Sequence, residues 1–248
     1  MPEIMINGQP LVASAGQTVL EVARQYGLWI PTLCHHQGLG PYGACRLCLV
    51  EIKAGFRPGL ASSCTLPAME DLVVETDSLT VKNARKLVAE LLLARAPESR
   101  EVRAIARSLG VDGTDIRPGN ELCVLCGRCV RACKVLGVHA ISFARRGVRR
   151  CVAVPFDKPS EQCMACQACV VVCPTGAIQA TITPHEVEMV TWRTHQVLQR
   201  CAICQKPFVT SGQQRQVDKI VEAGHQPRGA LCPRCRRQET AQDMAVSS

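Results

Sequence analysis

Two runs of closely spaced cysteines constrain this chain more than any other feature of its sequence. Both runs have the pattern C-x2-C-x2-C-x3-C, and they extend from Cys123 to Cys133 and from Cys163 to Cys173. Spacings of two and three residues allow one tight loop to turn several thiols toward a single point. We expect the last cysteine of each run on the helix that follows the loop, pointing toward the other run. The eight cysteines therefore predict two metal centres.

Disulfides and zinc sites are the alternative uses of these eight cysteines. Cysteines close together on one loop rarely form a disulfide, and nothing in the sequence indicates secretion. Zinc motifs place two cysteines, a long gap and then two more. The spacing, together with the segment CPTGAI at the end of the second run, favours iron–sulphur clusters over both alternatives.

The two runs resemble the cysteine motifs of bacterial two-cluster ferredoxins, in which the fourth cysteine of each run binds the other cluster. This resemblance implies two crossed [4Fe–4S] ligand sets. The first set is Cys123, Cys126, Cys129 and Cys173, and the second is Cys133, Cys163, Cys166 and Cys169. The tails that follow the runs, GVHAISF and TGAIQAT, are alike, which indicates an internal duplication of a loop, a short helix and a strand.

The composition favours metal centres in a cytoplasmic protein. The 248 residues include 17 cysteines but only 3% aromatic residues, so metal centres are expected to supply part of the stability that a large core would otherwise provide. The first ten residues, MPEIMINGQP, do not have the pattern of a signal peptide. The longest apolar stretches, such as the one from Leu87 to Leu93, are too short to cross a membrane.

The net charge of +8 suggests a nucleic-acid partner, but this count omits the clusters. A cluster held by four thiolates carries a net charge of about −2 in its oxidised state, so three clusters offset most of the excess. The most basic segment is then expected to compensate for cluster charge or to form a docking face. Its arginines are Arg145, Arg146, Arg149 and Arg150.

The first 78 residues predict a β-grasp ferredoxin domain of the plant type. Two short strands, Glu3 to Asn7 and Pro10 to Ser14, are expected to flank a turn at Gly8-Gln9. Thr18 and Glu21 form a capping box, which marks the start of a helix. A strand, a turn, a second strand and a helix are the opening elements of that domain.

Four further cysteines in this segment predict a [2Fe–2S] cluster. They have the pattern C-x10-C-x2-C-x15-C and are Cys34, Cys45, Cys48 and Cys64. The pattern differs from the plant-type C-x4-C-x2-C spacing, and a structural zinc site is the alternative. The segment GACRLCLVEI after a hairpin and a helix favours the iron–sulphur cluster, and the glycines of the loop allow backbone N–H groups to approach the sulphur atoms.

Two longer segments carry a further resemblance, which covers residues 1 to about 180. They read PTLCHHQGLGPYGACRLCLVEI and CVLCGRCVRACKVLGVHAISFARRG. They resemble the large iron–sulphur subunit of the complex I peripheral arm and the diaphorase or small iron–sulphur subunits of NAD(P)-linked hydrogenases and formate dehydrogenases.

This resemblance implies a subunit that relays electrons between a flavin- and NAD(P)-binding partner and a hydrogenase or formate dehydrogenase catalytic partner. Soluble ferredoxin is a further partner if the complex bifurcates electrons, which the sequence leaves open. The chain has no G-x-G-x-x-G loop after a strand, so we expect neither NAD nor flavin on this chain.

Residues 79–113 depart from the pattern of these families. Apolar residues recur at helical spacing from Val81 to Leu92, and Pro97 is expected to end this helix before a second one from about Glu98 to Leu109. In the resembling families this region carries a cluster held by one histidine and three cysteines. Here the segment ARAPESREVRAIARSLGV contains neither residue type, so we expect a helical spacer without a cluster. Whether the [2Fe–2S] centre lies in the electron path or on a branch stays open.

The C-terminal segment contains two CxxC pairs that predict a zinc ribbon. Its four cysteines are Cys201, Cys204, Cys232 and Cys235. Iron is the alternative metal, as in rubredoxin, although Arg236 stands where rubredoxins normally have glycine. The tail after Arg237 is expected to be disordered.

A nucleic-acid interface is a third interpretation of the C-terminal segment. Nearby arginines would contact phosphates, but Phe208 is the single aromatic residue available for base stacking between the two CxxC pairs. The arginines concerned are Arg228, Arg234, Arg236 and Arg237.

The predicted fold class is α+β with four parts. They are a β-grasp [2Fe–2S] domain at 1–78, a helical spacer at 79–113, a two-cluster [4Fe–4S] domain at 114–190, and a zinc-ribbon-like module with a tail at 191–248. A freestanding polyferredoxin-like carrier and a regulatory metal protein that binds nucleic acid stay open as alternative functions. Cys151 lies outside all four ligand sets and is expected to be a small buried apolar residue.

Overall fold

The computed structural model describes residues 1–117, 119, 121–221 and 231–246. The chain divides into two compact units, and each is described by itself. The first comprises Met1–Arg131 and Val172–Ala177, and the second comprises Ala132–Val171 and Ile178–Ser248. Among the helices in the described ranges, none combines the length and the apolar character needed to cross a membrane.

A mixed five-stranded sheet forms the centre of the first unit. Its order is β2-β1-β5-β3-β4, with β1 parallel to β5 and the other neighbours antiparallel. The strands are β1 (Glu3–Ile6), β2 (Gln9–Val12), β3 (Leu49–Ala54), β4 (Gly59–Ser62) and β5 (Leu72–Glu75). Helix α1 (Val19–Gln25) buries Leu20 and Val22 in the same core as Ile4 and Ile6. This arrangement confirms the predicted β-grasp architecture.

Local sequence signals account for the opening elements. The predicted hairpin and the capping box at Thr18 and Glu21 are both confirmed. The turn lies at Asn7-Gly8 rather than at Gly8-Gln9, and both residues have positive φ, 52° and 75°. Two central residues with positive φ are typical of a type I′ turn, whose twist matches that of the flanking strands.

Two helices follow the sheet and pack beside the segment that carries the first cysteines. They are α2 (Leu79–Arg95) and α3 (Arg100–Ser108), with Ser78 and Ser99 as N-caps, and α2 ends two residues before Pro97 as predicted. Leu93 of α2 and Val102 of α3 share a core with Leu33 and Leu47. Because Leu33 precedes Cys34 and Leu47 precedes Cys48, this core holds two of the candidate ligands in place.

The remaining elements are short strands and helices. α4 (Arg128–Val135) begins in the first unit and ends in the second. The others are β6 (Ser142–Ala144), β7 (Cys151–Ala153), α5 (Ala168–Val171), β8 (Thr181–Ile182), β9 (Glu186–Met189), β10 (Thr194–Arg200), β11 (Pro207–Thr210), α6 (Ser211–Val221) and α7 (Pro233–Val246). β6 pairs with β7, and an antiparallel sheet has the order β11-β10-β9-β8. β9 and β10 of this sheet lie on either side of residue 190, the predicted boundary between the two-cluster domain and the C-terminal module, and that boundary stays a prediction.

Two expectations about helices are wrong. Cys173 does not lie on the helix after its loop, because α5 ends at Val171. Pro174 disfavours helical geometry at the residue that precedes it. The segment after Arg237 is helical through Val246 in α7 rather than disordered, and its sequence QETAQDMAV consists mostly of residues with good helix propensity.

Candidate metal centres

The thiols of the N-terminal cysteine set lie close together between α1, β3 and β4. Cys34, Cys48 and Cys64 are buried, and Cys45 is half-buried. The backbone N–H of Cys34 donates to Sγ of Cys45, and the N–H of Cys45 donates to Sγ of Cys34, both at 3.5 Å. Backbone N–H groups aimed at sulphur stabilise the thiolate form, which is the form that binds metal.

The pKa of each of these four thiols depends strongly on the neighbouring thiols. The thiol of Cys45, followed by that of Cys64, lowers the pKa of Cys34 to about 2. The thiol of Cys64 lowers the pKa of Cys48 to about 6. The thiol of Cys34 in turn raises the pKa of both Cys45 and Cys64. Four thiolates can coexist at this spacing only around a cationic centre, so the donor set fits a metal cluster.

A buried arginine lies beside this set. Arg85 of α2 is only 4% exposed, and its Nη2 donates to the carbonyl oxygen of Leu49 at 2.6 Å, one residue after Cys48. Its Nε has no hydrogen-bond partner. Burial lowers the pKa of Arg85, and the charge of Cys48 acts in the opposite direction. An arginine stays protonated even so, and it places a permanent positive charge next to the candidate ligands.

The thiols of the first [4Fe–4S] set all lie in the first unit, although Cys173 comes from the second cysteine run. Burial raises the pKa of Cys123, Cys126 and Cys129, that of Cys129 to about 12, and the charge of Cys173 adds to this effect in all three. The Nε of Arg95 donates to the carbonyl oxygen of Cys123 at 2.7 Å. Buried thiols with a raised pKa lose their protons when a metal binds them.

The thiols of the second [4Fe–4S] set line one cavity in the second unit. They are Cys133, Cys163, Cys166 and Cys169. The backbone N–H of Ala140 donates to Sγ of Cys133 at 3.2 Å. The indole N–H of Trp192, which also lines the cavity, lies beside the thiol of Cys169 and lowers its pKa against the larger effect of burial.

The electrostatics of this cavity resemble those of the first set. Burial raises the pKa of Cys163 and that of Cys169, the latter to about 11. The charges of Cys133 and Cys166 add to both effects. Four thiols around one cavity, with an indole N–H beside Cys169, fit an iron–sulphur cluster whose sulphur atoms accept hydrogen bonds.

The C-terminal cysteines form a tighter group than the other sets. The Sγ atoms of Cys201, Cys204, Cys232 and Cys235 all lie within 4.8 Å of one another. The Sγ atoms of Cys204 and Cys232 are 3.8 Å apart. A tetrahedral ion with metal–sulphur distances of about 2.3 Å separates its sulphur ligands by about 3.8 Å, so this group fits a single metal ion.

Backbone N–H groups lower the pKa of two thiols in this C-terminal group and so favour the thiolate form that binds metal. The N–H of Cys204, followed by that of Cys232, lowers the pKa of Cys201 to about 6. The N–H of Cys235 lowers the pKa of Cys232, whereas burial raises the pKa of Cys235 to about 12. Of the arginines considered for phosphate contacts, Arg234, Arg236 and Arg237 are exposed on α7, and Arg228 lies outside the described residues.

Cys151 differs from its expectation, whereas the role of the basic hairpin stays a prediction. Cys151 begins β7 and is half-buried rather than buried. The four arginines of the β6–β7 hairpin are all exposed. One of them, Arg145, forms an ion pair with Asp157 at 3.3 Å.

Other arginines contact the ligand segments. They are Arg85, Arg95, Arg128 and Arg131, and each donates to a backbone carbonyl at or next to a candidate ligand. None of the four is predictable from the sequence, because an arginine that reaches across tens of residues leaves no local pattern.

Two domain models match the chain. A 2Fe-2S iron-sulfur cluster binding domain matches residues 2–78, and a 4Fe-4S dicluster domain matches residues 122–177. The chain is therefore an iron–sulphur protein with ferredoxin domains of mixed α/β content and a separate four-cysteine group near its C-terminus.

Individual relatives make the assignment more specific. The chain is 31% identical over 211 residues to the NADP-reducing hydrogenase subunit HndD of Solidesulfovibrio fructosivorans, a match that covers 72% of this chain and 36% of that protein. It is 30% identical over 208 residues to an NADH-quinone oxidoreductase subunit of Rhizobium meliloti (strain 1021), covering 73% of this chain and 24% of that protein. The chain thus spans little more than a third of these curated relatives at most.

A solved structure agrees with these relatives. The crystal structure of an NAD+-reducing [NiFe]-hydrogenase in the H2-reduced state contains a chain with a TM-score of 0.62 and 27% identity, and the match covers 71% of this chain and 86% of that one. The chain is therefore similar to subunits of an NADP-reducing hydrogenase and an NADH-quinone oxidoreductase and to a chain of an NAD+-reducing [NiFe]-hydrogenase, which confirms the predicted resemblance.

Proposed function

We propose that this chain is the electron-transfer subunit of a multi-subunit oxidoreductase. It relays electrons between a flavin- and NAD(P)-binding module and a hydrogenase or formate dehydrogenase catalytic module. The observation that carries this proposal is the grouping of twelve cysteine thiols into three sets within the two ferredoxin domains. The names of the relatives, an NADP-reducing hydrogenase subunit and an NADH-quinone oxidoreductase subunit, support the choice of partners.

The proposed ligands follow the four cysteine groups. The [2Fe–2S] cluster is held by Cys34, Cys45, Cys48 and Cys64, the first [4Fe–4S] cluster by Cys123, Cys126, Cys129 and Cys173, the second by Cys133, Cys163, Cys166 and Cys169, and a zinc ion in a ribbon-like module by Cys201, Cys204, Cys232 and Cys235. Such clusters supply one-electron redox chemistry. The chain contributes thiolates, backbone N–H groups aimed at sulphur, and arginines that offset the negative charge. Unpaired cysteines at metal-ligand spacing are typical of reducing compartments, so we propose a cytoplasmic location.

Metal analysis of the purified chain tests the cofactor content. We expect about ten irons and about ten acid-labile sulfides per chain, the sum of one [2Fe–2S] and two [4Fe–4S] clusters. Inductively coupled plasma mass spectrometry and sulfide assay of anaerobically prepared protein measure both. The same preparation should contain about one zinc. Four or fewer irons per chain would contradict the three-cluster assignment.

Anaerobic affinity purification from the native cells tests the place of the chain in a complex. We expect a flavoprotein and a second oxidoreductase subunit to co-purify, and NAD(P)H to bleach the cluster absorption of the complex but not that of the isolated chain. Untagged cells provide the control. Recovery of the chain as a monomer without a flavoprotein would instead support the freestanding carrier. Retention on DNA that is lost in an Arg234→Ala, Arg236→Ala variant would support the regulatory interpretation.

A further inference from the structure

Two arginines of α4 connect the first [4Fe–4S] ligand segment to the loop of the [2Fe–2S] set. Arg128 Nη2 donates to the carbonyl oxygen of His35 at 2.6 Å. Arg131 Nη1 donates to the carbonyl oxygen of Gly40 at 2.5 Å, and its Nη2 donates to the carbonyl oxygen of Cys34. All these residues belong to the first unit. The contacts therefore join positions more than ninety residues apart in the sequence.

Arg128 and Arg131 are both half-buried residues. The Nε atoms of Arg128 and Arg131 are both buried without a hydrogen-bond partner. The guanidinium of Arg131 also lies over the ring of Tyr42, 5.1 Å from its centroid. A planar fork that donates two hydrogen bonds to two different carbonyls fixes both distance and angle, which a lysine ammonium cannot do.

Candidate ligands lie at both ends of these contacts. At one end is the carbonyl of Cys34, in the [2Fe–2S] set. At the other end, Arg128 directly precedes Cys129 of the first [4Fe–4S] set, and Arg131 follows Cys129 by two residues.

We propose that Arg128 and Arg131 are positioning residues that hold the [2Fe–2S] loop against the first [4Fe–4S] segment, so that these two clusters exchange electrons directly. The proposal rests on the ligand sets of the proposed function. In each transfer one electron leaves the reduced [2Fe–2S] cluster, which becomes oxidised, and reduces the oxidised [4Fe–4S] cluster, or the reverse. No bond forms or breaks and no proton moves. This arrangement places the [2Fe–2S] cluster in the electron path without the histidine–cysteine cluster that residues 79–113 lack.

Glutamine variants with matched controls distinguish two roles of these arginines: holding the two ligand segments together, and only offsetting the negative charge of the clusters. Arg128→Gln and Arg131→Gln remove the contacts between the two segments. Arg85→Gln removes a guanidinium that is more deeply buried and that also binds a carbonyl beside a candidate ligand, Cys48, on an element that belongs to neither [4Fe–4S] segment. Arg107→Gln removes an exposed charge at the end of α3. All four variants lose one positive charge.

The test uses the full chain, reduced with dithionite and studied by electron paramagnetic resonance and redox titration. In the unaltered chain, a reduced [4Fe–4S] cluster nearby should speed the spin relaxation of the [2Fe–2S] cluster. We expect Arg128→Gln and Arg131→Gln to lose most of this relaxation enhancement, with iron content unchanged. We expect Arg85→Gln to keep it while shifting the ratio of reduced to oxidised [2Fe–2S] cluster about tenfold toward oxidised at a fixed potential, equivalent to about 59 mV for a one-electron couple. Arg107→Gln should alter neither.

Relaxation enhancement that stays unchanged in both glutamine variants would overturn the proposal. If a glutamine variant does not accumulate or loses its [2Fe–2S] signal, Arg131→Lys decides, because it keeps the charge but cannot reach both carbonyls. We expect that variant to have the potential of the unaltered chain but weakened relaxation enhancement, and unchanged enhancement would again overturn the proposal. A missing [2Fe–2S] or [4Fe–4S] signal in the unaltered chain would instead contradict the proposed function itself.

Discussion

Replacing Cys173 by alanine is expected to remove the first [4Fe–4S] cluster and to leave the second, although Cys173 belongs to the second cysteine run. The Cys173 thiol lies in the same unit as Cys123, Cys126 and Cys129. Its charge raises the pKa of each of these three thiols. Iron analysis should therefore give about six irons per chain instead of about ten.

The reciprocal variant tests the other half of the crossed scheme. Cys133 of the first run lines the cavity of the second set together with Cys163, Cys166 and Cys169. Cys133→Ala is therefore expected to remove the second [4Fe–4S] cluster, again with about six irons left per chain. Redox titrations should show a different remaining [4Fe–4S] cluster in the two variants.

Double variants show which cysteines share a cluster. Adding Cys126→Ala to Cys173→Ala should cost no further iron, because both thiols belong to one set. Adding Cys166→Ala to Cys173→Ala should leave about two irons, those of the [2Fe–2S] cluster. Cys151→Ala is the matched control and should keep all the iron. The opposite result in the two double variants would mean that Cys173 serves the second cluster, which would contradict the crossed scheme.

Loss of metal from the C-terminal group should unfold the segment around it. Among the residues that the structure describes in this segment, the core consists of Cys201, Cys232, Cys235 and Leu231, with Phe208 packed against it. So few apolar side chains supply little hydrophobic stabilisation, whereas a structural zinc contributes about 10–16 kcal/mol in small zinc-finger peptides. Cys201→Ala is therefore expected to abolish zinc binding and to expose the segment after residue 191 to protease.

Zinc analysis and limited proteolysis with mass spectrometry measure this effect, and iron content reports on the other sets. Ile203→Ser is the matched control, because Ile203 lies inside the first CxxC pair but is 60% exposed and offers no ligand. Unchanged zinc and unchanged protease resistance in Cys201→Ala would contradict the structural site. A single iron in place of zinc, visible as a red chromophore, would support the rubredoxin-like alternative.

Features that depend on neighbouring residues were predictable from the sequence. The hairpin of β1 and β2, the capping box at Thr18, and the break before Pro97 depend on backbone preferences over a few residues. Cysteine spacing likewise indicated the kind of centre, because two or three intervening residues decide whether thiols can converge within one loop. Two expectations about local structure are wrong. Cys173 lies outside a helix because Pro174 follows it, and the segment after Arg237 is helical because most of its residues favour a helix.

Features that depend on distant parts of the chain required the tertiary structure. No local pattern reveals that Arg131 would reach the carbonyl of Cys34, that Arg85 would be buried beside Cys48, or that β9 and β10 would join one sheet across residue 190. A guanidinium on a long side chain can bind any carbonyl that folding brings within reach. The tertiary packing of the chain therefore determines which carbonyl it binds. The cysteine runs alone therefore indicate which clusters the chain can hold. Only the folded chain shows which arginines lie beside the cysteine ligands and which ligand segments those arginines connect.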